Sequence, residues 1–222
     1  MKLNKRLTAI AKCVGDNSNV IDVGCDHALL DVYLVLNKKN VNCIASDVKE
    51  GPLEQAKKNI DKYKLYDNIK LRLGNGIETI DNTIDTIVIS GMGGNTIIDI
   101  LCDGKSLLSY VKKIIVSPNS DIYKFRKFVN RINFRIDYEE VVEDNGKFYP
   151  IIVLKKGNQK LNRSQLLFGY NVVKNNDYSN YIYTTKQKVL NELGNIPRKY
   201  MLKRLKLKKQ QNILNKILKD SN

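Results

Sequence analysis

Short apolar runs alternate with amphipathic stretches from the start of the chain to about residue 156. Val20-Ile21-Asp22-Val23 is the first apolar run and has the pattern of a buried strand. It stops at Gly24 and leads directly into helical spacing, with Leu29, Leu30, Tyr33, Leu34 and Leu36 on the apolar side. Ahead of it, Lys5–Val14 sets Leu7, Ile10, Ala11 and Val14 on one helical face. Further strands are expected at Val41–Ser46, Ile69–Leu73, Asp85–Ile89 and Lys113–Val116, and further helices at Glu50–Lys64, Thr96–Leu101 and Asp121–Arg131. This alternation predicts βαβ units and a mostly parallel sheet. Two longer strand-like runs, Phe134–Val142 and Phe148–Lys155, flank Asn145-Gly146, a tight-hairpin composition. The fold class is therefore α/β, a Rossmann-like sheet of five parallel strands ending in an antiparallel hairpin. That is the class I methyltransferase layout; a dinucleotide-binding domain would normally finish with a sixth parallel strand.

From about Gly157 the pattern turns wholly helical. Arg163–Lys174, Tyr183–Leu193 and Arg198–Leu218 are the expected helices, with Gly194-Asn195-Ile196-Pro197 as a break. Leucine and isoleucine stripes suit a small antiparallel, coiled-coil-like domain. The expected division is residues 1–156 and residues 157–222. Charge sharpens it. The net charge is +15, yet residues 1–150 carry 22 Lys and Arg against 20 Asp and Glu. Residues 151–222 carry 16 against 3. A polycationic tail on a nearly neutral body is the electrostatic footprint of a nucleic-acid binder; the plainer alternative is a solvated lysine-rich face. No stretch has the apolar length of a membrane span, and the N-terminus is too broken by lysine for an export signal. The four scattered cysteines suggest neither a zinc site nor a disulfide framework and fit a reducing cytoplasm.

The chemistry gathers at the predicted strand ends. Asp22–His27 follows the first strand, Asp47 the second, Gly74–Gly76 the third and Gly91–Gly94 the fourth. Ligands of open α/β sheets bind at the carboxyl ends of the strands. An acid such as Asp47, about twenty residues beyond the glycine turn, suits ribose hydroxyls. NAD and S-adenosylmethionine both present that ribose, and the turn discriminates between them. A pyrophosphate asks for G-x-G-x-x-G, but here Asp26 stands at the second glycine. Its carboxylate would repel phosphate, whereas Asp22 and Asp26 together favour a cofactor carrying an ammonium and a sulfonium.

The run Asp22-Val23-Gly24-Cys25-Asp26-His27-Ala28-Leu29-Leu30, with Gly91-Met92-Gly93-Gly94 and Ser117-Pro118-Asn119, resembles the bacterial tRNA (adenine-22-N1)-methyltransferase family over essentially the whole chain. Three positions depart from the family's usual pattern. Asp31 stands where proline is common, Asn75 where aspartate is usual, and Ser117 where glutamine precedes Pro118. The resemblance implies methyl transfer from S-adenosylmethionine to N1 of adenine in tRNA. Asp22, Gly24, Asp26, His27, Asp47, Asn75, Gly76, Gly91, Met92 and Gly93 are then expected around the cofactor, with no metal. Asp26 and Asn119 are the expected catalytic residues, Asp26 to stabilise charge and Asn119 to read an adenine edge. Plainer roles are available. Asp26 could cap the following helix, His27 could be structural, Gly91–Gly94 could be only a turn, and Tyr149 could pack rather than stack on a base. A non-catalytic RNA-binding protein on a methyltransferase scaffold, or an enzyme for another RNA position, is the alternative reading; a dehydrogenase is third.

Overall fold

The computed structural model describes residues 1–78 and 80–219. Seven strands form one sheet: β1 Asn19–Val23, β2 Asn42–Asp47, β3 Ile69–Leu73, β4 Thr86–Ser90, β5 Lys113–Ser117, β6 Phe134–Asp144 and β7 Lys147–Lys156. Their order is β3-β2-β1-β4-β5-β7-β6. β1 to β5 pair in parallel, and β7 runs antiparallel to both β5 and β6. The hairpin turns at Asn145 (φ 51°) and Gly146 (φ 73°), the two left-handed residues that a turn matched to strand twist requires. Five parallel strands and an antiparallel hairpin are thus as expected.

Side chains alternate across each strand, so one apolar run feeds two cores. Val20, Val88 and Ile115 enter the core under α1 (Lys5–Cys13), α2 (Leu29–Asn37) and α3 (Glu50–Tyr63). Ile21, Ile87, Ile89 and Ile114 enter the opposite core, under α4 (Gly94–Asp103) and α5 (Ile122–Phe128). Both faces are covered, which explains why the parallel strands read as continuous apolar runs. Every strand end that faces the site is therefore held in a packed frame.

The tail departs from the periodic pattern. The helix expected over Arg163–Lys174 is a short one, α6 (Arg163–Phe168), ended by Gly169 at φ 110°. The next residues run extended beside β6. Tyr170 N–H donates to Glu139 Oε1 (2.9 Å), Val173 N–H donates to the Glu139 carbonyl (2.8 Å), and Val172 bridges to Glu139. Hydrogen bonds to the sheet edge replace those of a longer helix. The second helix begins earlier than Tyr183: α7 spans Asn176–Asn195, with the Asn175 side chain accepting from Tyr178 N–H. α8 (Met201–Lys219) packs Leu207 and Leu214 against Tyr178, Ile182 and Val189 of α7 and Val141 of β6. This third core joins the tail to the body.

Candidate active site

β1 ends where Gly24 turns left-handed, φ 73°. A Cβ there would lie 2.4 Å from Met92 Cε, so any other residue would have to displace the Met92 side chain as well as bear the left-handed φ. Gly24 and Cys25 N–H both donate to the Ser46 carbonyl (2.8 and 3.1 Å), which carries the chain across the end of β2. Asp26 and Ala28 follow at φ 52° and 50°. Non-glycine residues in this region are uncommon and cost about 1–2 kcal/mol each. The turn is therefore held by its surroundings, and strain of this kind collects at functional sites. α2 begins only at Leu29, and its cap, Ala28, offers no side-chain hydrogen bond. Asp26 is thus not a helix cap. Its carboxylate is 77% exposed, with Oδ1 3.4 Å from His27 Nε2.

The β4–α4 and β5–α5 loops are sewn together beside this turn. Gly91 N–H donates to the Ser117 carbonyl (3.3 Å), Asn119 N–H to the Met92 carbonyl (2.8 Å) and Gly94 N–H to the Ser120 carbonyl (3.0 Å). Asn119 Nδ2 adds a bond to the Gly91 carbonyl (2.7 Å). A Cβ on Gly94 would sit 2.6 Å from the Ser120 oxygen, so glycine is what allows the seam to close. Two cavities flank it. One, about 390 Å3, has Asp22, Gly24, Asp26, His27 and Asp47 on its walls, with Gly91 and Met92 opposite. The other, about 490 Å3, is bounded by Asn119, the hairpin from Gly146 to Tyr149, and Tyr181, Thr184 and Lys188 of α7. Arg6 of α1 lines both. Its guanidinium lies 4.9 Å from the centroid of the Tyr149 ring, and the Arg6 backbone N–H donates to Asp144 Oδ2 at 3.4 Å.

Behind the first cavity lies a buried acid pair. Asp22 is 5% exposed and Asp31 0%. Neither Asp31 oxygen receives a well-formed hydrogen bond; its carboxyl faces the Asp22 carboxyl and the Cys43 thiol. Burial, and then the charge of Asp31, hold the Asp22 carboxyl well above the usual carboxylate range. Burial raises Asp31 as well. Among the described residues no cluster of His, Cys, Asp and Glu is disposed to hold a metal, and no helix is long and apolar enough to cross a membrane.

Residues 3–152 match the methyltransferase-domain family. The tRNA (adenine(22)-N(1))-methyltransferase of Bacillus subtilis is 34% identical over 160 residues, covering 72% of this chain and 67% of that one. The chain belongs to the tRNA (adenine(22)-N(1))-methyltransferase family. Solved structures extend the likeness along the whole fold. Sp1610 from Streptococcus pneumoniae matches with a TM-score of 0.90 at 31% identity, over 98% of this chain and 100% of that one, and has also been solved with S-adenosyl-L-methionine. M. capricolum TrmK, in complex with S-adenosyl-homocysteine, matches with a TM-score of 0.86 at 27% identity over 100% of both chains.

Within this methyltransferase frame, most of the expected residues meet at one cavity: Asp22, Gly24, Asp26 and His27 from the first turn, then Asp47, Gly91 and Met92. Asn119 faces the second cavity across the seam. Three residues lie off both walls. Asn75 is exposed beyond β3, one residue past Gly74, whose N–H donates to the Asp47 carbonyl (3.0 Å). Gly76, at φ 55°, is buried against Ile100 of α4, 2.8 Å from where its Cβ would be. Gly93 caps α4. Ser117 is fully buried at the end of β5, so this departure lies inside the sheet rather than in the second cavity. Arg6 was missed, and a single arginine in a leading helix gives no signal of its role. The pairing of Asp31 with Asp22 was missed too, although Asp31 lies between Leu30 and Leu34 on the inner face of α2, an anomalous place for an acid.

Proposed function

We propose that this chain methylates N1 of adenine 22 in tRNA with S-adenosylmethionine as donor, through the residues of the two adjoining cavities. The observation that supports this most strongly is the pair of cavities that share Arg6 and meet where Asn119 of the second bonds Gly91 of the first. One is acidic and deep in the strand ends; the other is amide- and aromatic-lined and faces the basic tail. The acidic cavity suits the cofactor: Asp47 accepts from ribose hydroxyls, while Asp22 and Asp26 balance two cationic groups. Gly91, with only the Arg6 guanidinium near the place of its missing Cβ, leaves room for a ligand to approach the backbone. When bound, S-adenosylmethionine supplies a methyl group activated by its sulfonium.

The chain's part is positioning and charge. N1 of adenine has an in-plane lone pair and no proton to remove, so neither a general base nor a covalent nucleophile is needed. Asn119 spends Nδ2 on Gly91, which leaves Oδ1 to accept from the exocyclic amino group of the base. Tyr149, already stacked under Arg6, offers a ring for the base to lie on. Positive charge builds on the base as it is methylated, and Asp26, exposed at the cavity, offsets it. N1 lies on the pairing edge, so the target must be drawn out of the folded RNA at a cost of a few kcal/mol. Residues 157–222 serve as the tRNA-binding domain and residues 1–156 as the catalytic domain. Lys188, Lys203, Lys206, Lys208, Lys209 and Lys216 are exposed along α7 and α8, where they can neutralise phosphates. Work on tRNA puts the protein in the cytoplasm.

Purified protein with methyl-labelled S-adenosylmethionine and unmodified tRNA should label the RNA. Asp26→Ala should lower turnover about 10- to 100-fold with little change in tRNA affinity. Loss of tRNA affinity with turnover intact would make Asp26 an RNA contact rather than a catalytic group.

A further inference from the structure

The acid pair behind the cofactor cavity has chemistry that cofactor binding alone leaves unused. Asp31, in the first turn of α2, has both carboxylate oxygens buried without a well-formed hydrogen bond. Its neighbours are Asp22, which lines the cavity, and the Cys43 thiol of β2. None of the groups acting on either carboxyl is basic among the described residues. Two carboxylates in contact in a dry site cannot both ionise, so one proton must stay between them. A buried structural acid is normally paired with a cation or with strong donors; the groups acting on Asp31 are its own backbone N–H, a thiol and another acid.

We propose that Asp31 is a positioning residue for the cofactor: it shares a proton with Asp22 in the free protein, and the bound cofactor's ammonium group displaces that proton to solvent. The ammonium is the group concerned because it carries N–H donors for a buried carboxyl, whereas a sulfonium carries none. The exchange balances. One proton leaves the O–H···O bridge, one ammonium arrives, and the charge enclosed behind the strand ends is unchanged. The free protein thus avoids burying two negative charges, yet presents a full carboxylate once the ligand is seated. This inference rests on the methyltransferase reading of the cavity.

Other titratable groups surround the pair and enter the test. Cys43 and Cys25 are thiols held protonated by burial. Asp26, His27 and Asp47 line the same cavity with the permanently charged Arg6. Because these groups are common to both proteins, the difference between wild type and Asp31→Asn isolates the pair. The amide of Asp31→Asn donates to Asp22 and removes the need for a shared proton.

Titration calorimetry of the full chain with S-adenosyl-homocysteine, at pH 6.5 in phosphate and in imidazole, counts protons through the buffers' different ionisation enthalpies. Wild type should release a large fraction of one proton more than Asp31→Asn. Its affinity should tighten between pH 5.5 and 7.5 by up to about tenfold per unit, the limit for one proton, while the variant's profile is flatter. Equal proton counts in the two proteins would overturn the proposal. S-adenosyl-homocysteine binding without proton release from wild type would overturn it alone; no binding at all would overturn the methyltransferase reading with it. Should Asp31→Asn fail to fold, carbon-13 NMR of the ligand-free wild type decides. An aspartate carboxyl titrating above pH 6 supports the shared proton, and every aspartate titrating below pH 5 overturns it.

Discussion

Replacing Arg126 with methionine should loosen the tail and so spoil the second cavity from a distance. Arg126 of α5 is 3% exposed and Glu139 of β6 1%. Arg126 Nε lies 3.0 and 3.1 Å from the two Glu139 oxygens, and Nη2 lies 2.7 Å from Oε2. Nη1 donates to the carbonyls of Leu166 and Leu167 at the end of α6 (3.0 and 3.2 Å). Glu139 in turn accepts from Tyr170 N–H. One buried ion pair therefore pins both sides of the Gly169 turn to the sheet edge. Arg126→Met fills similar volume but strands the Glu139 charge and two carbonyls in a dry site. Removing one partner of such a pair costs about 3–5 kcal/mol. For a chain of this length that is a fall of about 6 to 20 °C in melting temperature. Arg126→Met/Glu139→Leu removes both charges and should recover much of the loss. The assay is urea unfolding of wild type, both single variants and the double variant, read as a double-mutant cycle. Tyr181, Thr184 and Lys188 are carried to the second cavity by α7, which this strap helps to hold together with the third core and the Phe148–Tyr181 contact. At a temperature where Arg126→Met stays folded, tRNA methylation should therefore fall more than S-adenosyl-homocysteine binding. A single variant within about 1 kcal/mol of wild type would refute the strap.

Gly94→Ala puts a Cβ 2.6 Å from the Ser120 carbonyl, which should open the seam, cost about 1–3 kcal/mol in denaturant unfolding and depress methylation. Asn119→Ala should lower kcat about 10- to 100-fold in single-turnover assays and spare S-adenosyl-homocysteine affinity. Stability should also report on the buried acids. Asp22 and Asp31 keep a proton in the folded protein that the unfolded chain gives up above the ordinary carboxylate range. Wild type therefore loses stability as pH rises from about 4 toward 7, and Asp31→Asn should melt higher than wild type at pH 7.5 by a margin that shrinks at pH 5.

The sheet was legible because buried parallel strands write themselves as apolar runs, as Ile87–Ile89 and Ile114–Val116 do. The hairpin was legible because Asn145-Gly146 suits only a narrow class of turn. Tail boundaries were not. Leu166-Leu167-Phe168 continues smoothly in helical period toward Val172, and nothing local says that Glu139, distant in sequence, will claim the backbone at Tyr170 and Val173. At the site, residue types at strand ends identified Asp22, Asp26 and Asp47, because the topology brings consecutive strand ends together. Glycines carried less than their pattern implied: Gly24 and Gly94 make close approaches at the site, whereas Gly76 serves packing under Ile100. Arg6 stayed hidden because its role is purely tertiary, created when α1 lays it across Tyr149.

The most direct test is to map the modified nucleotide after incubating unmodified tRNA with the enzyme and methyl-labelled S-adenosylmethionine. Label at N1 of adenine 22 alone is the predicted result. Label at another nucleotide would contradict the assigned target, and stoichiometric tRNA binding with no label anywhere would contradict the catalytic role itself.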